Sequence, residues 1–353
     1  MAPFIEINGR RIGPDQPVYI VAEMSANHGG DFDRAVGILK AAREAGADAV
    51  KLQTYTADTM TIDCEDDHFR IGPGTVWEGK NLHQLYREAS TPWDWQPRLK
   101  QIARGLGLDL FSTPFDESAV EFLERMDVPA YKIASFELVD LPFLRRVAQT
   151  GRPMILSTGM ASSEEIDEAA RTLREAGNGQ LALLKCTSAY PSPPDEMNLR
   201  AIPSLAETFR APVGLSDHTL DLAVPIAAVS LGACIVEKHL TLSRAVPGPD
   251  SAFSLEPPEF KAMVEAVRIT ERALGAARYE IGREEAKSRL FRRSLFVVKD
   301  MKAGEKFTAE NLRSIRPGHG LHPRHYDQVI GRRAARDIWR GTPLEWDLVS
   351  GSS

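Results

Sequence analysis

The run Val213-Gly214-Leu215-Ser216-Asp217-His218, followed by apolar-rich residues 222–231 and then by Cys234-Ile235-Val236-Glu237-Lys238-His239, states one pattern twice. A short apolar segment passes abruptly into hydroxyl, carboxylate and imidazole side chains, and a helical stretch separates the two copies. Strands joined through a helix run parallel, because the crossover returns the chain to the same end of the sheet. Outward from this run the pattern recurs. Residues 18–22 precede Glu23, and residues 49–52 carry Lys51 and end at Gln53. Residues 108–111 run into Ser112-Thr113-Pro114, and residues 130–133 carry Lys132 and lead to Ser135. Residues 154–156 end at Ser157-Thr158-Gly159, and residues 181–184 end at Lys185-Cys186-Thr187-Ser188. Helical patterns lie between them, at residues 32–45, 95–105, 119–125 and 163–176. A last one at 259–274 spaces Phe260, Met263, Val264, Val267 and Leu274 on a helical period. Eight such units within about 260 residues match an α/β fold of the closed (β/α)8, or TIM, barrel type, which takes about 250. The competing architecture is an open doubly wound sheet, but no G-x-G-x-x-G follows the first strand.

The barrel is expected to occupy residues 1–277. Residues 278–293 are dense in charge (Glu280, Arg283, Glu284, Glu285, Lys287, Arg289, Arg292, Arg293) and read as a solvated linker with helical character. From Ser294 the texture changes. Residues 295–298 are strand-like, Lys302-Ala303-Gly304-Glu305 reads as a turn, and glycines and prolines punctuate the rest. Residues 294–353 are expected to form a small β-rich module, too short to bury much core alone. A length of 353 residues, 43% hydrophobic and 26% charged, suits a soluble globular chain of about two domains. Lys and Arg number 43 against 49 Asp and Glu, so the net charge of −6 offers no general field for nucleic acid or an anionic membrane. Three cysteines, Cys64, Cys186 and Cys234, with no C-x-x-C, argue against a disulfide scaffold or zinc ribbon and for a cytoplasmic location. MAPFIEINGR has no signal-peptide pattern. The longest near-apolar run, residues 222–236, holds Pro225 and Gly232 and is too short to span a bilayer.

In a β/α barrel the C-terminal strand ends converge on one mouth. Here those ends offer Glu23, Lys51 with Gln53, Thr113, Lys132 with Ser135, Ser157, Ser188 with Tyr190, Ser216 with His218, and Glu237 with His239. Two ammonium groups ringed by hydroxyls suit a phosphate or carboxylate with several acceptor oxygens. The alternative is a pair of lysines whose heads reach solvent. His218 and His239 end neighbouring strands, about 4.8 Å apart, close enough for two imidazoles to share one ion. With water, and with Glu23 or Glu237, they suit Mn²⁺, Zn²⁺ or Mg²⁺; the alternative is a hydrogen-bonded core pair. His28, on the first loop, is within reach of the mouth, whereas His68 and His83 read as surface residues. Residues 74–81 nearly spell a P-loop, but Asn81 replaces Ser/Thr and no strand leads in, so a loop covering the mouth is expected. Cys186 reads as a small buried apolar residue rather than a nucleophile.

These motifs resemble the phosphoenolpyruvate-dependent nonulosonate synthases, the family that makes sialic, legionaminic and pseudaminic acids. The residues that carry the resemblance are Ala22-Glu23-Met24-Ser25-Ala26-Asn27-His28, Lys51-Leu52-Gln53-Thr54, Ser112-Thr113-Pro114-Phe115, Tyr131-Lys132-Ile133-Ala134-Ser135 and Ser157-Thr158-Gly159-Met160. They continue with Gly214-Leu215-Ser216-Asp217-His218-Thr219, Glu237-Lys238-His239 and Pro247-Gly248-Pro249-Asp250-Ser251. The C-terminal module resembles the family's antifreeze-like (SAF) domain, with Arg316-Pro317-Gly318 as its mark. Cys186-Thr187-Ser188-Ala189-Tyr190-Pro191 and Asp250-Ser251-Ala252-Phe253-Ser254-Leu255 resemble the pseudaminate-forming branch most, and Ser188 stands where sialate-forming members usually have Asn.

The resemblance implies condensation of phosphoenolpyruvate with 2,4-diacetamido-2,4,6-trideoxy-L-altrose, phosphate leaving by C–O cleavage; legionaminic and N-acetylneuraminic acid synthesis are the alternatives. It implies that Lys51, Thr113, Lys132, Ser135, Ser157, Ser188 and Ser216 hold phosphoenolpyruvate. Gln53, Glu137, Tyr190, Asp250 and Arg316 would hold the sugar, Arg316 arriving from the partner in a domain-swapped homodimer. His218 and His239 would bind Mn²⁺ or Mg²⁺, and Glu23 or Glu237 would handle the attacking water. A reading of another class, a non-enzymatic glycan-binding protein built on the C-terminal module, predicts indifference to chelators.

Overall fold

The computed structural model of the chain describes residues 3–351. The outermost residues of the two expected domains, 1–2 and 352–353, lie outside that range. A hairpin of β1 (Ile5–Ile7) and β2 (Arg10–Ile12) opens the chain. The strands β3 (Tyr19–Glu23), β4 (Ala49–Thr54), β5 (Asp109–Pro114), β6 (Tyr131–Ile133), β7 (Met154–Ser157), β8 (Leu181–Cys186), β9 (Val213–Asp217) and β10 (Ile235–His239) follow. They pair in parallel, each with the next, and β10 returns to β3, so the barrel is closed. The helices expected from periodicity occur at Phe32–Ala45, Gln96–Gly105, Glu117–Arg125, Ser163–Glu175, Ala223–Ser230 and Pro257–Leu274. Their starts are set by caps: Asp31 accepts from the backbone N–H of Asp33 and Arg34, and Ser162 forms a capping box with Glu165. Most barrel strands run past the apolar segments that announced them, into the polar residues, because backbone pairing is indifferent to side chain.

Alternation along each strand sorts the side chains between two cores. Tyr19, Val21, Ala49, Phe111, Ala130, Ile155, Ala182, Leu184 and Ile235 fill the barrel interior together with Ile5, Ile7 and Ile12 of the hairpin, which plug it. Ile20, Ala22, Val50, Leu52, Leu110 and Val236 face outward onto the helices, in one of two clusters that form the strand–helix layer. Gly214 belongs to the inner set. A Cβ there would lie 2.5 Å from the carbonyl oxygen of Ile235 and 2.7 Å from Leu184 Cδ2, so only glycine lets these strands pack.

The chain divides into two compact units, the first ending at Gly275 and the second starting at Ala276. In the second, Arg283–Lys287 is a short helix, exposed along its length, and Ser288–Phe291 follows as a 3₁₀ turn. β11 (Ser294–Val297) pairs antiparallel with β12 (Leu312–Ile315) over a core that includes Leu295, Val297, Met301, Phe307, Leu312 and Leu344. Arg316, just past β12, is exposed. Among the described residues no helix is long and apolar enough to cross a membrane.

Candidate active site

The inward parity that fills the lower barrel with apolar side chains continues to the strand ends, where it delivers charge. Glu23, Lys51, Gln53, Thr113, Lys132, Ser157, Ser216, Glu237 and His239 all sit on inward positions, in register: Glu23 opposite Lys51, Gln53 opposite Thr113, Ser216 opposite Glu237, His239 opposite Glu23. A cavity of about 430 Å³ at this mouth is lined by Lys51, Gln53, Lys132, Ser135, Glu137, Ser157, Tyr190, Ser216, His218, Glu237, His239 and Asp250. That volume suits one or two small polar metabolites.

The two lysines are almost wholly buried and alternate with two carboxylates. Lys51 Nζ makes a short contact with Glu23 Oε2 and lies 3.5 Å from Glu237 Oε1. Lys132 Nζ lies at the same 3.5 Å from Glu237 Oε1. Lys51 also donates to Thr113 Oγ1 at 3.2 Å, and Lys132 to Ser157 Oγ at 2.7 Å. Ser216 Oγ donates to Glu237 Oε1 at 3.5 Å, and Gln53 Nε2 donates to Glu23 Oε1 at 3.3 Å. Burial raises both carboxyls, but the environments separate them. Glu23 ends above the usual range, with the charge of Glu237 adding to its burial, whereas Lys132 and Lys51 hold Glu237 below it. Glu237 Oε2 is buried with no hydrogen-bond partner. Such an atom is costly unless something else meets it.

Ser135, Ser188 and Gly159 make a second feature. Ser135 Oγ accepts the N–H of Gly159 at 3.0 Å, and a Cβ on Gly159 would fall 2.2 Å from Ser188 Oγ and 2.7 Å from Ser135 Oγ. Only a glycine leaves room for the two hydroxyls to pack against the backbone here, and it holds them side by side, as donors to anionic oxygens would need to be.

His218 and His239 stand with ring centroids 5.4 Å apart. His218 Nδ1 donates to the carbonyl of Thr187 at 3.1 Å, which leaves Nε2 to face the cavity, where it meets the Cys186 thiol. Burial and the nearby cations keep His239 well below the ordinary imidazole range, hence neutral, and its Nδ1 is buried with no partner. Among the described residues no three histidine, cysteine or carboxylate side chains converge as a ready ligand set. The carboxylates expected to serve as a third ligand, Glu23 and Glu237, are engaged by the lysines instead. Burial lowers the His218 imidazole, but its bond to Cys186 and the charge there bring it above the ordinary range, so a cation binding there would displace its proton. The two imidazoles then fit a divalent cation whose other positions are filled by water and substrate, the open arrangement of catalytic sites.

Asp250 lies deep in the cavity and accepts the N–H of Ala26 at 3.2 Å. Burial lifts its carboxyl, Ser25 and Ala26 opposing. Tyr190 packs on His218 (4.5 Å between centroids) and on Phe253 (5.1 Å). Burial pushes the half-buried Glu137 up to about 7, and its Oε2 has no partner. Arg316 belongs to the second unit.

Three expectations need correction. His28 does not reach the cavity: it is buried, its Nδ1 accepting from Gly30 N at 3.0 Å and its Nε2 lying 3.1 Å from Thr91 Oγ1, edge-on to Trp95. His83 is not a surface residue but 7% exposed, with Nε2 2.9 Å from Asp58 Oδ1. Cys186 is no inert apolar filler. It lines the cavity, and although burial alone would raise its thiol, hydrogen bonds from His218 and Ser135 with the charges of His218 and Lys132 bring it down to about 6. The alternation Leu184-Lys185-Cys186 could have placed it inward. Residues 71 and 77 do line the mouth, as a covering loop should, but no periodicity marked the apolar side chains of that segment as cavity wall.

The fold and these motifs have relatives. The NeuB family matches residues 38–279 and the SAF domain residues 292–350. The chain is 45% identical over 331 residues to a pseudaminic acid synthase of Campylobacter jejuni, covering 94% of this chain and 96% of that one. It is 45% identical over 338 residues to the pseudaminic acid synthase of Helicobacter pylori, covering 96% and 99%. Among solved structures, the spore coat polysaccharide biosynthesis protein SpsE of Bacillus subtilis superposes with a TM-score of 0.67 at 36% identity, covering 99% of this chain and all 100% of that one. With the family match spanning more than half of the chain and 45% identity across nearly the whole of two relatives, the chain belongs to the NeuB family.

Proposed function

We propose that the protein is a pseudaminic acid synthase: a transferase that joins phosphoenolpyruvate to 2,4-diacetamido-2,4,6-trideoxy-L-altrose, giving pseudaminic acid and phosphate. The observation that carries this reading is the 45% identity to pseudaminic acid synthases across nearly the whole of both chains. It operates on a cavity whose charges suit an enol phosphate.

Lys51 and Lys132, with Thr113, Ser135, Ser157, Ser188 and Ser216, hold the phosphate and carboxylate of phosphoenolpyruvate. Gln53, Glu137, Tyr190 and Asp250 hold the open-chain sugar, and Arg316 is contributed by the partner subunit of a domain-swapped homodimer. His218 and His239 hold a divalent cation, Mn²⁺ or Mg²⁺, which when bound polarises the aldehyde oxygen. The C3 carbon of phosphoenolpyruvate attacks the aldehyde carbon; the C=C pair becomes the new C–C bond, and C2 is left electron-poor. The C=O π pair moves to the aldehyde oxygen, which takes up a proton to become a hydroxyl (a proton made good by the water that adds next). Glu237, held ionised between the ammonium groups, stabilises positive charge there. Water adds to C2 and gives a proton to Glu23, the carboxyl lifted by burial. The C2–O bond to phosphorus then breaks, the pair leaves with phosphate against the two lysines, and the C2 hydroxyl loses its proton to become the ketone. The substrates and the charged site fit a cytoplasmic enzyme.

The test is phosphate release from phosphoenolpyruvate with three acceptors: the diacetamido-trideoxy-altrose, its gluco-series legionaminate counterpart, and N-acetylmannosamine. The first is expected to give the highest kcat/KM. A higher value with either of the others reassigns the sugar, and release with none removes the activity.

A further inference from the structure

The cavity has two kinds of lining, drawn from different parts of the chain. Its charged side chains come from the strand ends and from the loops that follow β6 and β10. The segment between β4 and β5 supplies Met60, Ile71, Trp77, Leu82, Leu85 and Tyr86, with no charged side chain among them. Part of that segment is a strap. An Arg70↔Asn81 bridge and the bonds from Ile71 N to Lys80 O and from Gly79 N to Ile71 O, each 2.9 Å, close its base. Between residues 72 and 79 every side chain is exposed except Trp77. Trp77 Nε1 donates to the carbonyl of Pro249 at 2.8 Å, and its ring lies 5.4 Å from that of Tyr190 and 6.2 Å from that of Phe253. Gly74 (φ +97°) and Gly79 (φ +79°) flank it in the left-handed region, so the strap is shaped to deliver this one ring inward.

An apolar wall facing a charged floor has a consequence for selection. Phosphoenolpyruvate has little apolar surface for such a wall to bury. The proposed acceptor has: its sixth carbon is a methyl, and each acetamido group carries another. We propose that the 60–86 wall, held against the cavity by Trp77, is the acceptor-selecting surface, and that it reads the sugar's methyl groups, the 6-deoxy carbon foremost. A hydroxymethyl packed against Ile71, Leu82 and Leu85 would leave its hydroxyl without a partner among those three side chains, which disfavours it. The inference rests on the sugar assignment made above.

The experiment compares kcat/KM for the diacetamido-trideoxy-altrose with that for the same sugar bearing a 6-hydroxyl. An apolar pocket separates such a pair by about 10- to 200-fold. The wild type is expected to prefer the 6-deoxy sugar within that range. Leu82→Asn and Ile71→Thr are expected to bring the ratio to within about threefold, the KM for phosphoenolpyruvate serving as the control for an intact floor. Trp77→Phe, which keeps a ring on Tyr190, is expected to retain the preference, whereas Trp77→Ala loses it. If the wild type prefers the 6-deoxy sugar and every wall variant keeps that ratio, the wall is not the selector and the synthase assignment stands. If the wild type does not distinguish the two sugars, the methyl reading is wrong. Absence of phosphate release with any sugar would remove the assignment and the inference together.

Discussion

The strands β9 and β10 carry two sets of buried charge on opposite faces, and the two are built differently. On the outer face Lys238, opposite Asp217 in the register, donates to Asp217 Oδ2 at 2.5 Å, to the carbonyl of Thr219 at 2.5 Å and to Thr219 Oγ1 at 3.3 Å. Both ions of that pair are inaccessible to solvent, and all three donors of the ammonium are used. On the inner face, one residue along in each strand, Glu237 stands 3.5 Å from two lysines, leaves Oε2 bare, and neighbours the unpartnered Nδ1 of His239. The outer set is complete and the inner set is not. A buried charge with every partner in place holds structure; one with partners missing awaits a ligand that supplies them. The outer pair also fixes the turn that follows: Asp217 Oδ1 accepts the N–H of Thr219 at 2.9 Å, across His218.

Substitutions on the two faces should separate in kind. On the inner face, His239→Ala is expected to remove turnover, since the lost activation of the aldehyde is worth several kcal/mol, about 10³-fold in rate. Elemental analysis should find less bound divalent metal, and a variant with normal rate and normal metal content would erase the metal role. Lys132→Met is expected to lower kcat/KM by about 10²- to 10³-fold, as for loss of one charge-stabilising donor. Its thermal midpoint should change little, because Glu237 keeps Lys51 at 3.5 Å as a partner.

On the outer face the order reverses. Lys238→Met leaves Asp217 charged and alone and is expected to cost about 3–5 kcal/mol of stability in denaturant unfolding. Adding Asp217→Leu should recover most of it, as replacing a whole buried pair by apolar groups does. If the single variant is as stable as the wild type, the outer pair does not hold the strand ends. The smallest effect concerns Glu137, which lines the cavity. Its folded-state pKa is raised from 4.5 to about 7, so the fold favours the neutral form, and the cost of ionising it grows as pH rises from 4.5 and is complete above 7. Glu137→Gln should therefore gain stability relative to wild type at pH 8 and gain little at pH 4, read from melting curves at both.

The same two faces show what a sequence discloses. The apolar-to-polar switch at each strand end located the inward charges, because alternation has a period of two and every strand repeats it. That reasoning reached Lys51, Lys132, His218, His239 and both glutamates. It passed over Asp217 and Lys238, although Ser216-Asp217-His218 and Glu237-Lys238-His239 place opposite charges on the same outward parity. The apolar wall was illegible for a different reason. Ile71 and Trp77 sit in a loop closed by a few backbone bonds, so no repeat says which of their neighbours face in. His83 was misread because its burial comes from the fold around it rather than from any pattern in its own segment.

What the incomplete inner set is proposed to do is condense phosphoenolpyruvate with the sugar and expel phosphate together with its bridging oxygen. Phosphoenolpyruvate labelled with oxygen-18 at the C2–O–P bridge, turned over with the diacetamido-trideoxy-altrose, tests this by mass spectrometry of the products. The label is expected to leave in phosphate. Label retained at C2 of the sugar product would mean that the P–O bond breaks instead, and would contradict the proposed roles of the two lysines and of Glu23.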